Sequence, residues 1–382
     1  MSRPHDDIAE ELAGGRVTID LGALKANYAH LAKLAAPGEC GAVVKANGYG
    51  CGIETVVPAL WDAGCRTFFV AVPSEGFRVR ETAPKARCFI LNGLFKSAET
   101  ALADAGLIPC LGSVDQIKRW AAMADERGTP LPCAIHMDSG MNRLGLTYEE
   151  LAWTIEQPHL MAHLDVQLFM THYACADDIG HPQTDAQRER FLQGAELLPG
   201  VPRSAANSAA DLQAADHGFD LARPGIALYG GEALNDVENP MRPVVTLEGR
   251  VVQTRWVERG DPVGYGASET VTRRTRLAYV STGYADGYHR AASNHGVPMR
   301  FVAPAAVAHY KGHTLKGVGR ISMDLAAFDV TDLPDNAVGE GDWIELFGPN
   351  VPVDDVARAA GTIGYEMLTG IGARYARRVV DG

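Results

Sequence analysis

No run of 18 consecutive apolar residues occurs anywhere in the 382-residue chain, so hydropathy offers no membrane-spanning helix. The opening "MSRPHDDIAEELAGGRVTID" is polar and acidic and lacks the apolar stretch of a secretory leader, and a cytoplasmic protein is expected. Clustered basic residues are also missing. Lysine and arginine number 35 against 47 acidic residues, and no basic run is long enough to track a phosphate backbone, which argues against nucleic acid as the partner. The seven cysteines form neither CxxC nor any metal-ligand spacing. They read as reduced thiols, most of them small buried hydrophobes, with no metal centre implied. None follows Cys175, so the two halves of the chain differ in composition.

What the chain does have is enough apolar material for a large core. Hydrophobic residues make up 46% and charged residues 21%, ordinary for a globular protein of about two domains. In "LGALKANYAHLAKLA", Leu24, Tyr28, Leu31 and Ala35 fall at helical spacing. From there short apolar runs alternate with amphipathic stretches: "GAVVK", "TFFVAV", "RCFIL", "LIPCL", "PCAIHM", "VQLFMTH", "PRSAANS" and "LARPGIALYG" are separated by helical patterns. Eight such units predict an N-terminal (β/α)8 TIM-like barrel over residues 1–240. Near residue 240 the texture becomes β-branched, aromatic and rich in glycine turns, as in "PVVTLEGRVVQTRWVERGDPVGYGAS". A C-terminal, mostly β domain is therefore expected over 241–382.

A barrel of this kind builds its site at the C-terminal ends of its strands. Lys45 ends the first strand and Tyr49 follows in a glycine-flanked turn; His136, Asp138 and Arg143 follow the fifth; His172 follows the sixth; Asn207 and Ser208 the seventh; Arg223, Gly225 and Ile226 the eighth. Each alone is a weak signal. Together, a lysine amine, cationic side chains and small backbone donors suit an anionic aldehyde. Pyridoxal phosphate needs a lysine for its Schiff base, donors for its phosphate and a group on its pyridine nitrogen.

The ordered motifs "VVKANGYGCG", "MDSGMNRLGL", "MTHYACAD", "AANSAA", "ARPGIALYG", "VGYGAS", "GYADGYHR", "GRISMD" and "GTIGYEML" are similar to those of alanine racemases, from about residue 16 to 375. The resemblance implies pyridoxal 5′-phosphate on Lys45. It implies a phosphate set of Tyr49, Ser208, Gly225, Ile226 and Tyr365 with Asn207 beside it, His172 near the ring, and Arg223 on the pyridine nitrogen. Two acid/base groups are implied, Lys45 on one face and Tyr265 from the other subunit of a homodimer on the opposite face. Arg143, Tyr284 and Met323 resemble the substrate-binding residues, with Asp324 supporting Met323.

The chain departs from the family where many members carry a carbamylated lysine that orients the neighbouring arginine: here that residue is His136. A neutral imidazole cannot supply the missing anion, so a bound anion or another hydrogen-bond partner is expected to hold Arg143. Ser139 and Ser322 are small polar replacements that bear on substrate preference. A racemase for serine or several amino acids stays open beside alanine. A barrel-type basic amino-acid decarboxylase would need a cysteine in its β domain, and a non-catalytic cofactor carrier would have no use for that domain.

Overall fold

The computed structural model describes residues 8–213, 219–295 and 305–382 and divides the chain into two compact units. One comprises Leu24–Leu228 and Glu232–Met241. Its strands are Glu39–Cys40 continuing as Ala42–Val43, Thr67–Val70, Arg87–Ile90, Ile108–Leu111, Leu131–His136, Leu164–Met170, Arg203–Ser204 and Leu221–Ala222. All neighbours run parallel, and Leu221–Ala222 pairs back onto Glu39–Cys40 while Ala42–Val43 pairs onward with Phe68 and Phe69. The Arg223 N–H donates to the Ala206 carbonyl at 2.9 Å, joining the seventh and eighth strands. The ring is therefore closed, the predicted eight-stranded barrel. Its strands are apolar on both faces because both are covered: Phe68, Phe69, Val70, Cys88, Phe89, Cys133 and Ile135 are fully buried.

Helix ends follow local chemistry. The Ser113 Oγ accepts from the Gln116 N–H at 3.3 Å to start Val114–Arg127, and left-handed Gly128 ends it. Six of the cysteines, all but Cys175, are buried.

The second unit is mostly antiparallel β structure. The 13-residue strand Val245–Val257 is its spine: one end pairs with Trp343–Phe347 and Gly15–Asp20, the other with Thr275–Val280. Ala326–Asp329, His313–Gly317 and Val307–Tyr310 complete the path from Thr275–Val280 back to Trp343–Phe347. A core of Val263, Val271, Leu277 and Val318 packs beneath. The division differs from a single cut after residue 240, because Gly15–Asp20 belongs to this unit. It lies antiparallel to Val245–Gly249 and parallel to Ala376–Val380. Alternation explains the choice: Val17 and Ile19 are buried, while Arg16 turns outward to Glu248 at 2.5 Å and lies over the Trp343 ring at 4.6 Å.

Candidate active site

Lys45 opens a turn in which Ala46, Asn47, Gly48 and Tyr49 all have positive φ, 52°, 56°, 63° and 50°. Left-handed backbone costs about 1–2 kcal/mol per residue with a side chain, so something must hold it. The Glu75 carboxylate accepts from the N–H groups of Asn47 (3.2 Å) and Ala71 (3.0 Å). The Asn47 Oδ1 accepts from the Ile53 N–H (3.2 Å) and the Arg78 guanidinium (2.6 Å). The strain thus sits in a segment fixed from several sides. Burial lowers the Lys45 pKa, the charge of Arg143 lowers it further, and Glu75 opposes both.

Arg223 is buried at the end of the eighth strand. Its guanidinium donates to the Ser204 hydroxyl and to the carbonyls of Thr171 (2.6 Å) and Ala205 (3.3 Å), and faces the His172 Nδ1 at 3.4 Å. Burial brings its pKa down to about 10, so it stays charged at neutral pH. Burial, then Arg223 and Arg143, depress both histidines: His136 to about 4 and His172 well below its usual value. Both are neutral imidazoles, and the net charge of the cluster is positive. Arg143 leaves the turn Asp138–Asn142 into solvent, and His136 presents it with no anion.

Tyr49, Asn207, Ser208, Gly225 and Ile226, the barrel members of the expected phosphate set, lie close together in the barrel unit. The Asn207 side chain caps the short helix Ser208–Leu212, accepting from the Ala210 N–H at 3.1 Å. The Ser208 Oγ accepts from the N–H groups of Gly225 (2.7 Å) and Ala227 (3.3 Å). A Cβ on Gly225 would lie 2.3 Å from the Tyr49 hydroxyl, so this close approach requires glycine. Ile226, fully buried, begins the next turn.

The remaining expected residues stand in the β unit. Tyr265 is 71% exposed, between Gly264 and Gly266, both at positive φ. The backbone N–H groups of Tyr284 and Ala285 donate to the carbonyls of Ser322 (3.1 Å) and Met323 (3.0 Å), holding Tyr284 beside Met323. Asp324 is bound by Arg374 at 2.9 Å, which also holds buried Asp286 at 2.6 Å. Tyr365 lies on the helix Gly364–Thr369. Glu75, Arg78, Arg374 and Asp286 were not expected; each is a common charged residue whose importance appears only once its partner is placed.

A closed α/β barrel with a lysine, two arginines and two neutral histidines at its strand ends, continued by a β domain, defines a class of two-domain barrel enzymes. Two family models match the chain, "Alanine racemase, N-terminal domain" over residues 19–233 and "Alanine racemase, C-terminal domain" over 244–379, and the chain belongs to the alanine racemase family. It is 47% identical to the biosynthetic alanine racemase of Agrobacterium fabrum, across 97% of this chain and 95% of that protein. The catabolic alanine racemase of the same organism is 42% identical over 97% and 93%. The alanine racemase of Bartonella henselae, solved with covalently bound pyridoxal phosphate, superposes with a TM-score of 0.89 at 39% identity, covering 96% of this chain and all of that one.

Proposed function

We propose that this chain is a homodimeric amino-acid racemase that uses pyridoxal 5′-phosphate to interconvert L- and D-alanine, and that its D-alanine feeds peptidoglycan synthesis. The observation that carries the reading is the Lys45 amine, fixed at the barrel rim by a strained turn and biased toward its neutral, nucleophilic form by burial and Arg143. The donor set fits the cofactor. Lys45 would hold its aldehyde carbon, and Tyr49, Asn207, Ser208, Gly225, Ile226 and Tyr365 its phosphate. His172 would lie against its ring. Arg223, charged and pinned, can only donate to the pyridine nitrogen and cannot protonate it as an acid would.

When bound, pyridoxal phosphate acidifies the Cα–H of the amino acid joined to it. Racemisation then needs a proton taken from one face and another returned to the opposite face. The Lys45 Nζ serves one face and the Tyr265 Oη of a second copy serves the other, with Arg143, Tyr284 and Met323 contacting the amino acid and His136 and Asp324 behind them. Support for the second copy is the exposure of Tyr265, Tyr284, Met323, Ile363 and Tyr365, large side chains presented to solvent by the β unit. Buried cysteines with thiol pKa values pushed up to about 12, as for Cys88 and Cys110, fit a reducing cytoplasm.

The test is D-amino-acid formation from a panel of L-amino acids by purified protein with pyridoxal phosphate, followed by chiral chromatography. Rapid conversion of L-alanine, lost in Tyr265→Ala, is the expected result. A preference for serine would move the substrate and keep the mechanism; no racemisation of any amino acid would overturn the reading.

A further inference from the structure

We infer that Gln183, Gln187 and Arg190 are positioning residues, a clamp on one helix face that sets the turn carrying Arg143 and thereby how the site takes its amino acid. The role of Arg143 rests on the function proposed above; the clamp itself rests on geometry.

The three side chains stand at i, i+4 and i+7 on the helix Pro182–Ala195, so they share a face. The Gln183 amide donates to the Gly140 carbonyl at 2.8 Å, and the Arg190 guanidinium donates to the Ser139 carbonyl at 3.0 Å. Gln187 is fully buried and joins two strand ends. Its amide N–H groups donate to the Ser139 hydroxyl at 3.2 Å and the His172 carbonyl at 2.9 Å, and its oxygen accepts from the Ala174 N–H at 2.8 Å. Ser139 completes the link through the Thr171 hydroxyl at 2.8 Å. From the other side, one Asp138 oxygen accepts from the N–H groups of Gly140, Met141 and Asn142 at 2.9, 2.9 and 3.1 Å. Arg143 is the next residue.

Two further observations bear on the clamp, which holds the turn together with the Asp138 carboxylate and the backbone pair Asp138–Leu146. A cavity of about 260 Å³, lined by Ser139, Asn142, Tyr148, Arg190 and Gln193 among others, borders it, so side-chain packing does not replace the hydrogen bonds there. The helix is itself anchored: Phe191 stacks on Phe169 at 4.8 Å, and Gly194 comes so close to Met137 that a Cβ would lie 2.3 Å from the Met137 Sδ. A fixed helix holding a turn beside a cavity is what positioning a substrate-side arginine requires.

The experiment compares the unaltered protein, the double variant Gln183→Ala/Arg190→Ala and the conservative variant Arg190→Lys. Amide hydrogen exchange is measured without added cofactor, thermal melting in parallel, and alanine racemisation on the loaded enzyme. The double variant is expected to exchange faster over residues 138–146 and little elsewhere, and to melt close to the unaltered protein. Its KM for L-alanine should rise about tenfold while kcat stays within about threefold, the split that marks lost binding and not lost chemistry. Arg190→Lys, which keeps a donor, should recover most of both effects. Unchanged exchange over 138–146, or a KM that follows the melting temperature across the variants, would overturn the clamp. Because exchange is read without turnover, an inactive unaltered protein would sink the racemase reading and leave the clamp to be judged separately.

Discussion

The two units hold their site residues in opposite ways. In the barrel, Arg223 is buried and bound by Ser204, Thr171 and Ala205, and Tyr49 is wedged against Gly225. In the β unit, Tyr265 and Met323 are 71% and 52% exposed, and the backbone, not packing, places Tyr284 beside Met323. Tyr49 and Arg223 are pre-organised by their own chain, as the function proposed above demands near a fixed cofactor, whereas Arg143 is the barrel's exposed exception. The β-unit residues are presented outward, which suits groups that complete a site in another copy.

The largest expected effect breaks that comparison directly. Lys45→Ala and Tyr265→Ala should each lose at least about a thousandfold in racemisation, since each removes one proton carrier. Mixed and allowed to exchange subunits, the two inactive proteins should recover about a quarter of the normal activity, because half the dimers become mixed and each mixed dimer holds one intact site. No recovery, with subunit exchange confirmed by mass, would place Lys45 and Tyr265 in the same copy's site.

Paired glycines sharpen the contrast at a smaller scale. Gly225→Ala forces a methyl group to 2.3 Å from the Tyr49 hydroxyl, in a buried strand end, and should cost about 1–3 kcal/mol of stability by overpacking. Pyridoxal phosphate should also be held less tightly, as measured by its release on dialysis. Gly266→Ala meets only the end of the Arg320 side chain at 2.9 Å, at φ 71°, and should cost about 1 kcal/mol of left-handed strain. Equal losses in urea melts would show that the barrel site is no more rigid than the β-unit loop.

Legibility in the sequence divides along the same line. The barrel was readable because each strand is a short apolar run beside its own helix, a local signal. Gly15–Asp20 was not assigned to the β domain because its partners lie more than 200 residues away, at Glu248 and Ala376–Val380. A strand cannot announce a distant partner. Lys45, Arg223 and Tyr265 stand in motifs that place them at strand ends or glycine turns. Gln187 is a polar residue in an amphipathic helix, which reads as solvated; only the structure shows it buried between Ser139 and His172. The turn after Lys45 was signalled by "NGYG", but its left-handed backbone and its hold by Glu75 were not, because that contact joins two successive βα units.

The two units also treat a buried carboxylate differently. Asp286 in the β unit is buried but bound to Arg374 at 2.6 Å and to the Gly283 N–H at 3.0 Å. Asp211 in the barrel is buried, its Oδ2 has no hydrogen-bond partner among the described residues, and burial alone pushes its pKa up to about 7. Its folded-state pKa lies above the unfolded value near 3.9, so the folded chain binds the extra proton. The stability this supplies is fully present below about pH 4 and is lost as pH rises through about 7. Above that, an ionised carboxylate is buried with its Oδ2 unbonded among the described residues. Asp211→Asn removes the ionisation at similar volume. Relative to the unaltered protein it should gain about 1–3 kcal/mol between pH 5 and pH 8, most of it accumulating below about pH 7, where the folded chain still holds the proton that the unfolded chain has lost. Urea midpoints at the two pH values decide it: parallel pH dependences for the two proteins would mean that Asp211 is solvated or paired in solution, as Asp286 is paired in the β unit.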